Sequence, residues 1–156
     1  MKRKMRRLKQ QVSDERCVEI LKSAPRGVLA LHGEDGYPYA VPLDFYYENN
    51  RLYFHCAPEG HKLDAIRADS RASFCVMDEG FKRDGDWALN ITSVIAFGKI
   101  SELTDINDKT EKLRLLGNKY YPNPDEVENE IKRFIDRVCI LEFSIEHMTG
   151  KLVHEK

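Results

Sequence analysis

The sequence predicts a mainly β protein, a six-stranded antiparallel sheet closed into a small barrel with α-helices at its periphery. Three observations lead there. Strand follows strand with short turns between, the helical periodicities sit outside the strand runs, and 156 residues suit one domain with a core of its own. No internal repeat and no low-complexity segment divides the chain.

Taken in order, Ser13 is an N-cap, and Cys17, Ile20, Leu21 and Ala24 recur at helical spacing until Pro25 and Gly27 stop the helix. Val28 to His32 is a compact apolar strand. Gly33-Glu34-Asp35-Gly36 turns the chain back, so Tyr37 to Tyr47 returns as a second strand of a hairpin. Pro38 and Pro42 donate no ladder hydrogen bond, which places them at an edge, a bulge or a point where the backbone meets another group.

Glu48-Asn49-Asn50 turns into a strand from Leu52 to Cys56, and a helix follows from Gly60 to about Ala68. Ala72 to Met77 is the next strand. Residues 78–90 are polar, carry the single tryptophan Trp87 and read as a loop or an irregular extension of two strands. Ile91 to Leu103 is a long strand, apolar enough to predict burial on both faces.

A helix is expected over Asp105 to Tyr120 with Ile106, Leu113 and Leu116 inward. A second starts at the Asn123 cap with Pro124 at its first position, and places Val127, Ile131, Phe134 and Ile135 on one face. Val138 to His147 is the last strand, and Met148 to Lys156 trails away.

Hydrophobic residues make up 42% and charged residues 33%, a globular composition with no apolar run long enough to span a bilayer. Nothing in the basic N-terminus resembles a secretory signal, and Cys17, Cys56, Cys75 and Cys139 form no C-x-x-C pair, so reduced thiols, a cytoplasmic setting and no metal site are expected. The net charge is −1, yet the first nine residues hold six cations (Lys2, Arg3, Lys4, Arg6, Arg7 and Lys9) and no acid. A basic arm on an acidic body lacks the positive folded face that nucleic-acid binding needs. A solvated tail that packs locally on a partner subunit, or on nothing, is the expectation.

The chemistry concentrates in Arg51 to Lys62, a strand that runs through a polar turn into a basic helix start. Gly60 frees the backbone there, and His61 and Lys62 add to the partial positive charge of the first helical amides, so an anion such as a phosphate is the expected ligand. His55 interrupts an apolar strand and must satisfy two ring nitrogens, either within the core or at a site. No nucleophile elbow, zinc helix, phosphate-binding P-loop or dinucleotide fingerprint is present. Asp44, Glu59 and Asp64 are not spaced to act as a pair. A protein without such groups can still carry out redox chemistry by holding a cofactor that supplies it.

Three runs, Tyr37 to Phe45, Leu52 to Lys62 and Ser93 to Lys99, closely resemble the nitroimidazole-resistance (Nim-type) flavoproteins. These belong to the pyridoxamine-5′-phosphate-oxidase-like, FMN-binding split-barrel proteins. Met5-Arg6-Arg7 and the run from Glu146 to Lys151 are similar too, so the resemblance spans nearly the whole chain. It implies a homodimer of split barrels with a flavin, FMN or in some relatives FAD, in each of two interface clefts.

By that resemblance the backbone of Val41, Pro42 and Leu43 faces the edge of the ring system, and His55, Cys56 and Ala57 lie along it. His61 and Lys62 hold the phosphate, and Ser93 bonds ring or ribityl atoms. His55 is the implied catalytic residue, positioning a small acceptor such as a nitroaromatic or delivering its proton while a reduced carrier, a nicotinamide, supplies electrons. Two departures stand out. His61-Lys62 replaces a pair of lysines common in relatives, and Thr92 stands where an arginine often precedes the serine. A flavin-binding sensor or store with little turnover fits the same motifs, as does a haem protein with His55 or His61 as axial ligand.

Overall fold

Helix α1 forms over Asp14–Ser23 because Ser13 caps it, its hydroxyl accepting from the Arg16 amide at 3.2 Å, and because Cys17, Ile20 and Leu21 bury one face. The computed structural model describes residues 3–154. Among them are three further helices, α2 (His61–Ala68), α3 (Ile106–Tyr120) and α4 (Pro124–Phe134). The strands number eight, not six: β1 (Gln11–Val12), β2 (Gly27–His32), β3 (Pro38–Leu43), β4 (Tyr46–Glu48), β5 (Arg51–Cys56), β6 (Arg71–Met77), β7 (Ile91–Glu102) and β8 (Cys139–Val153). Every pairing is antiparallel, in the order β3-β2-β6-β7-β8-β5-β4, with β1 added to β8.

The sheet is not closed, since β3 and β4 end the path without pairing to each other. The cause lies between them. Phe45 turns fully into the core, and its amide donates to the Tyr120 hydroxyl at 3.0 Å instead of continuing a ladder. The single strand expected from Tyr37 to Tyr47 is thereby split into β3 and β4. The last strand is longer than expected, because β7 supplies partners as far as Ile91 opposite Val153. Gly150 lets it pass over α1, where a Cβ would meet the Cys17 sulfur at 2.4 Å.

Side-chain alternation sorts the sheet into two faces. Leu29, Phe54, Phe74, Val94 and Phe143 point inward, with Phe45 and Phe54 set edge-on to Phe74 at ring distances of 4.9 and 5.2 Å. Gly27 leaves room for Phe74, whose Cζ lies 2.2 Å from where a Cβ would stand. The expectation that β7 is buried on both faces is wrong: Ile95 and Phe97 are 40% and 47% exposed. They belong to cross-strand rows on the outer face, Pro42-Val28-Cys75-Ile95-Thr149 and Ala40-Ala30-Ser73-Phe97-His147. At one point the register slips, since Phe97 opposes His147 but Gly98 opposes Ile145, leaving Glu146 as the extra residue of a β-bulge.

Helices α3 and α4 form a hairpin over one end of the sheet. Asn123 caps α4 by accepting from the Asp125 and Glu126 amides, and Val127 fits against Gly117, where a Cβ would meet its Cγ1 at 2.6 Å. Val127, Ile131 and Leu116 are buried as expected. Ile106 is not: it opens α3 directly after the Asp105 cap, ahead of the turns that pack, and remains 52% exposed. Phe134 is also open, and Ile135 leaves the helix in a 3₁₀ turn. Among the described residues no helix is long and apolar enough to cross a membrane.

Candidate functional site

Two residues apart on one face of β5, Tyr53 and His55 meet different fates. Tyr53 is covered by α3, with the Lys112 ammonium 4.9 Å from its ring centre, whereas His55 emerges beyond the helix and is exposed. It emerges into a cleft of about 1010 Å³ bounded by the end of β5, the start of α2 and the α3–α4 hairpin. Cys56, Ala57 and Lys62 line the same cleft, as does Asp44 from the end of β3.

The turn after β5 sets Lys62 there. Gly60 has φ 132°, a conformation that side chains resist, and its carbonyl accepts from the Leu63 and Asp64 amides at 3.0 and 3.1 Å to start α2. A Cβ on Gly60 would meet nothing within 4 Å, so the space before the helix is open. His61 turns the other way and packs edge-on against Tyr39 of β3, ring centres 4.6 Å apart.

Strand β3 pairs only with β2 among the described residues, so its outer backbone edge has no strand on it. Pro42 suits this place and faces outward, while Val41 and Leu43 lean on the core. Ser93 is elsewhere. It stands on the outer face of β7, in a separate depression of about 680 Å³ lined by Ile95, Phe97, Glu146 and His147. The N-terminal arm is not a free tail there, because Arg3, Lys4, Met5 and Arg6 line that depression beside the acidic Glu146. Met1 and Lys2 of the arm lie outside the described residues.

The structure thus gathers His55, Cys56, Ala57 and Lys62, sets His61 against β3, and leaves Ser93 apart. Sequence reading missed the opposite wall: Asn129, Arg133 and Arg137 of the second hairpin helix and the turn after it. Their spacing of four residues was the available signal, one polar stripe beside the apolar one. The cleft's charge is mixed. Asp44 is paired to Arg26 at 2.8 Å and Glu130 to Arg133 at 3.1 Å.

Electrostatics are most perturbed behind the cleft. The Cys56 thiol is lowered by a hydrogen bond from Cys139, against the effect of burial, with the Lys62 charge helping. Cys139 is raised by the same contact and by burial. Glu102 is held below the usual carboxylate range by Arg67, which donates to both its oxygens at 3.0 and 2.9 Å.

An open antiparallel sheet with four helices and a ligand-sized cleft at one sheet end is consistent with the split-barrel class. The family model described as pyridoxamine 5'-phosphate oxidase matches residues 13–152, and the chain belongs to that family. Several solved structures share the fold at low identity. A candidate 5-nitroimidazole antibiotic resistance protein from Bacteroides thetaiotaomicron is 21% identical, with a TM-score of 0.76 over 91% of this chain and 86% of that one. An FAD-binding protein from Mesorhizobium loti is 24% identical, with a TM-score of 0.70 over 92% and 97%. An FAD and heme binding protein from Mycobacterium smegmatis is 21% identical, with a TM-score of 0.75 over 94% and 74%. No curated protein matches the sequence.

Proposed function

We propose that the cleft holds a flavin, FMN or FAD, and that the protein is a cytoplasmic flavin-dependent oxidoreductase of Nim type. Its reaction is the reduction of a small acceptor such as a nitroimidazole by a reduced nicotinamide. The observation that carries this reading is the convergence of His55, Cys56, Ala57 and Lys62 on one cleft. A cleft of about 1010 Å³ is ample for such a ligand. The names of the Mesorhizobium and Bacteroides structures support it by analogy.

The residues present fit the group. Lys62 and the first amides of α2 would hold a phosphate in the open space at Gly60, with Arg133 and Arg137 lining the same cleft. Cys56 and Ala57 would lie along the flat ring, and by the family resemblance the backbone of Val41, Pro42 and Leu43, next in sequence to the cleft residue Asp44, would border it. When bound, the flavin supplies the electron transfer. His55 orients the acceptor and delivers a proton to it.

A second copy completes the arrangement. The outer face leaves Val28, Met77, Ile95 and Phe97 exposed among the described residues, and a homodimer formed there would bury them together with the neighbouring Ser93. The test is to release the cofactor from purified protein and identify it by absorbance and mass. Absence of flavin even after reconstitution with FMN and FAD overturns the reading. Lys62→Ala is expected to weaken FMN binding about tenfold or more, read by fluorescence titration.

One observation favours a binding protein with little turnover: Asp44 and Glu130, acids in the cleft, are each tied to an arginine. Steady nicotinamide consumption with a nitroimidazole acceptor decides against that alternative. Haem in place of flavin would fall to His55, since His61 is engaged with Tyr39, and requires a Soret band on haem addition.

A further inference from the structure

Behind the cleft lies a pair of thiols that the flavin reading does not use as a pair. Cys56 ends β5, Cys139 begins β8, and the two are direct partners across an antiparallel ladder. Opposed residues in such a ladder stand about 4.5–5.5 Å apart at Cα, within the span that a disulfide bridges. The other cysteines have no such partner: Cys75 faces Val28 and Ile95 across its strands, and Cys17 lies buried against Gly150.

The two thiols differ in what surrounds them. Cys56 is partly exposed, lines the cleft and shares it with Lys62. Cys139 is buried, with its sulfur 3.7 Å from Glu102 Oε1, while Arg67 fixes that carboxylate from the other side. An accessible thiol beside a cation, backed by a buried protonated one, is the arrangement of an attacking cysteine and a resolving cysteine. The lowered pKa of Cys56 agrees with this geometry. Its charged neighbours are Lys62 and Arg67 of α2 and Glu102 of β7.

We propose that Cys56 and Cys139 form a redox-active dithiol that hydroperoxides oxidise to a reversible cross-strand disulfide. The Cys56 thiolate attacks one peroxide oxygen, the O–O bond breaks, and the departing oxygen leaves as water or an alcohol with the proton that Cys56 released. Cys56 is then a sulfenic acid. The Cys139 sulfur attacks the Cys56 sulfur, the S–S bond forms, and the S–O bond breaks. Its oxygen leaves as water with the Cys139 proton, which Glu102 is placed to relay. Two thiols lose two electrons and one peroxide gains them. A small-molecule thiol reverses the step by exchange, becoming a disulfide itself. The inference goes beyond the flavin reading and stands without it.

The test uses the full chain, reduced with dithiothreitol, cleared of it, and treated with a small excess of hydrogen peroxide. The expected result is loss of two thiols and about 2 Da per chain, with a peptide linking Cys56 to Cys139 that dithiothreitol dissolves. In Cys139→Ser, Cys56 stops as a sulfenic acid that dimedone labels. In Cys56→Ser, peroxide consumption falls about tenfold or more. A different linkage, or a Cys56 that reacts no faster than Cys75 in the unsubstituted protein, overturns the proposal.

Discussion

The inner and outer faces of β2, β6 and β7 share one backbone and both carry large apolar side chains, yet only the inner one buries them. Leu29, Phe74 and Val94 are at most 1% exposed, while their strand neighbours Val28, Ile95 and Phe97 are 40% exposed or more. A strand facing water on one side ordinarily alternates apolar with polar. Here Val28, Met77, Ile95 and Phe97 stand exposed on the outer side among Ser73, Ser93 and Lys99, so the inner face makes the fold and the outer one, by the dimer proposed above, meets a second surface.

That contrast can be broken at its strong side first. Phe74→Ala, which empties the middle of the Phe45-Phe54 cluster, is expected to cost about 3–5 kcal/mol in urea unfolding. A loss under about 1 kcal/mol would mean that the inner face is not the stabilising one.

Lys119 is the cation set against this core. It lies 3.9 Å from the centre of Phe45 and donates to the Ala24 and Phe45 carbonyls at 2.9 and 2.8 Å. Burial lowers it from 10.5 to about 8, so across that window the unfolded chain binds a proton that the folded chain has released. Stability therefore rises with pH between about 8 and 10.5, by no more than about 2 kcal/mol once screening is allowed for. The difference between the native protein and Lys119→Met, measured by denaturation across this range, should carry that slope.

A smaller effect tests the cover on the inner face. Ser13→Ala removes the cap of α1 and is expected to cost about 1 kcal/mol, seen as a lower unfolding midpoint. The smallest stability change belongs to the outer face: Phe97→Asp should move the unfolding free energy of the chain by about 0.5 kcal/mol or less. It should nevertheless abolish the proposed dimer in sedimentation velocity. A monomeric native protein, or a dimer indifferent to this substitution, would remove the proposed role of that face.

Local chemistry made much of the architecture legible. The Ser13 and Asn123 caps, the Gly33–Gly36 turn and the helix start after Gly60 each depend on a few neighbouring residues, and each stands where the sequence places it. The cleft was half legible for the same reason, through His55 to Lys62. What escaped depends on distant partners. Phe45 breaks a strand because Tyr120 takes its amide, and Arg133 reaches the cleft because Gly117 lets α4 approach α3. The double burial read for β7 failed because a core and an uncovered apolar face leave the same pattern in a sequence.

The bulge at Glu146 works as a change of reading frame. Before it, Leu141, Phe143 and Ile145 point inward; after it, Met148, Gly150 and Leu152 oppose the inward Ala96, Val94 and Thr92. One extra residue shifts an odd series to an even one. Pairing Glu146 into the ladder opposite Phe97 would therefore do more than straighten the strand, because every position beyond it would exchange inside for outside. Thr149 and Lys151 would be driven toward α1, and Gly150 would lose its place over Cys17. The end of this chain is in register with its core only because one residue there is left uncounted.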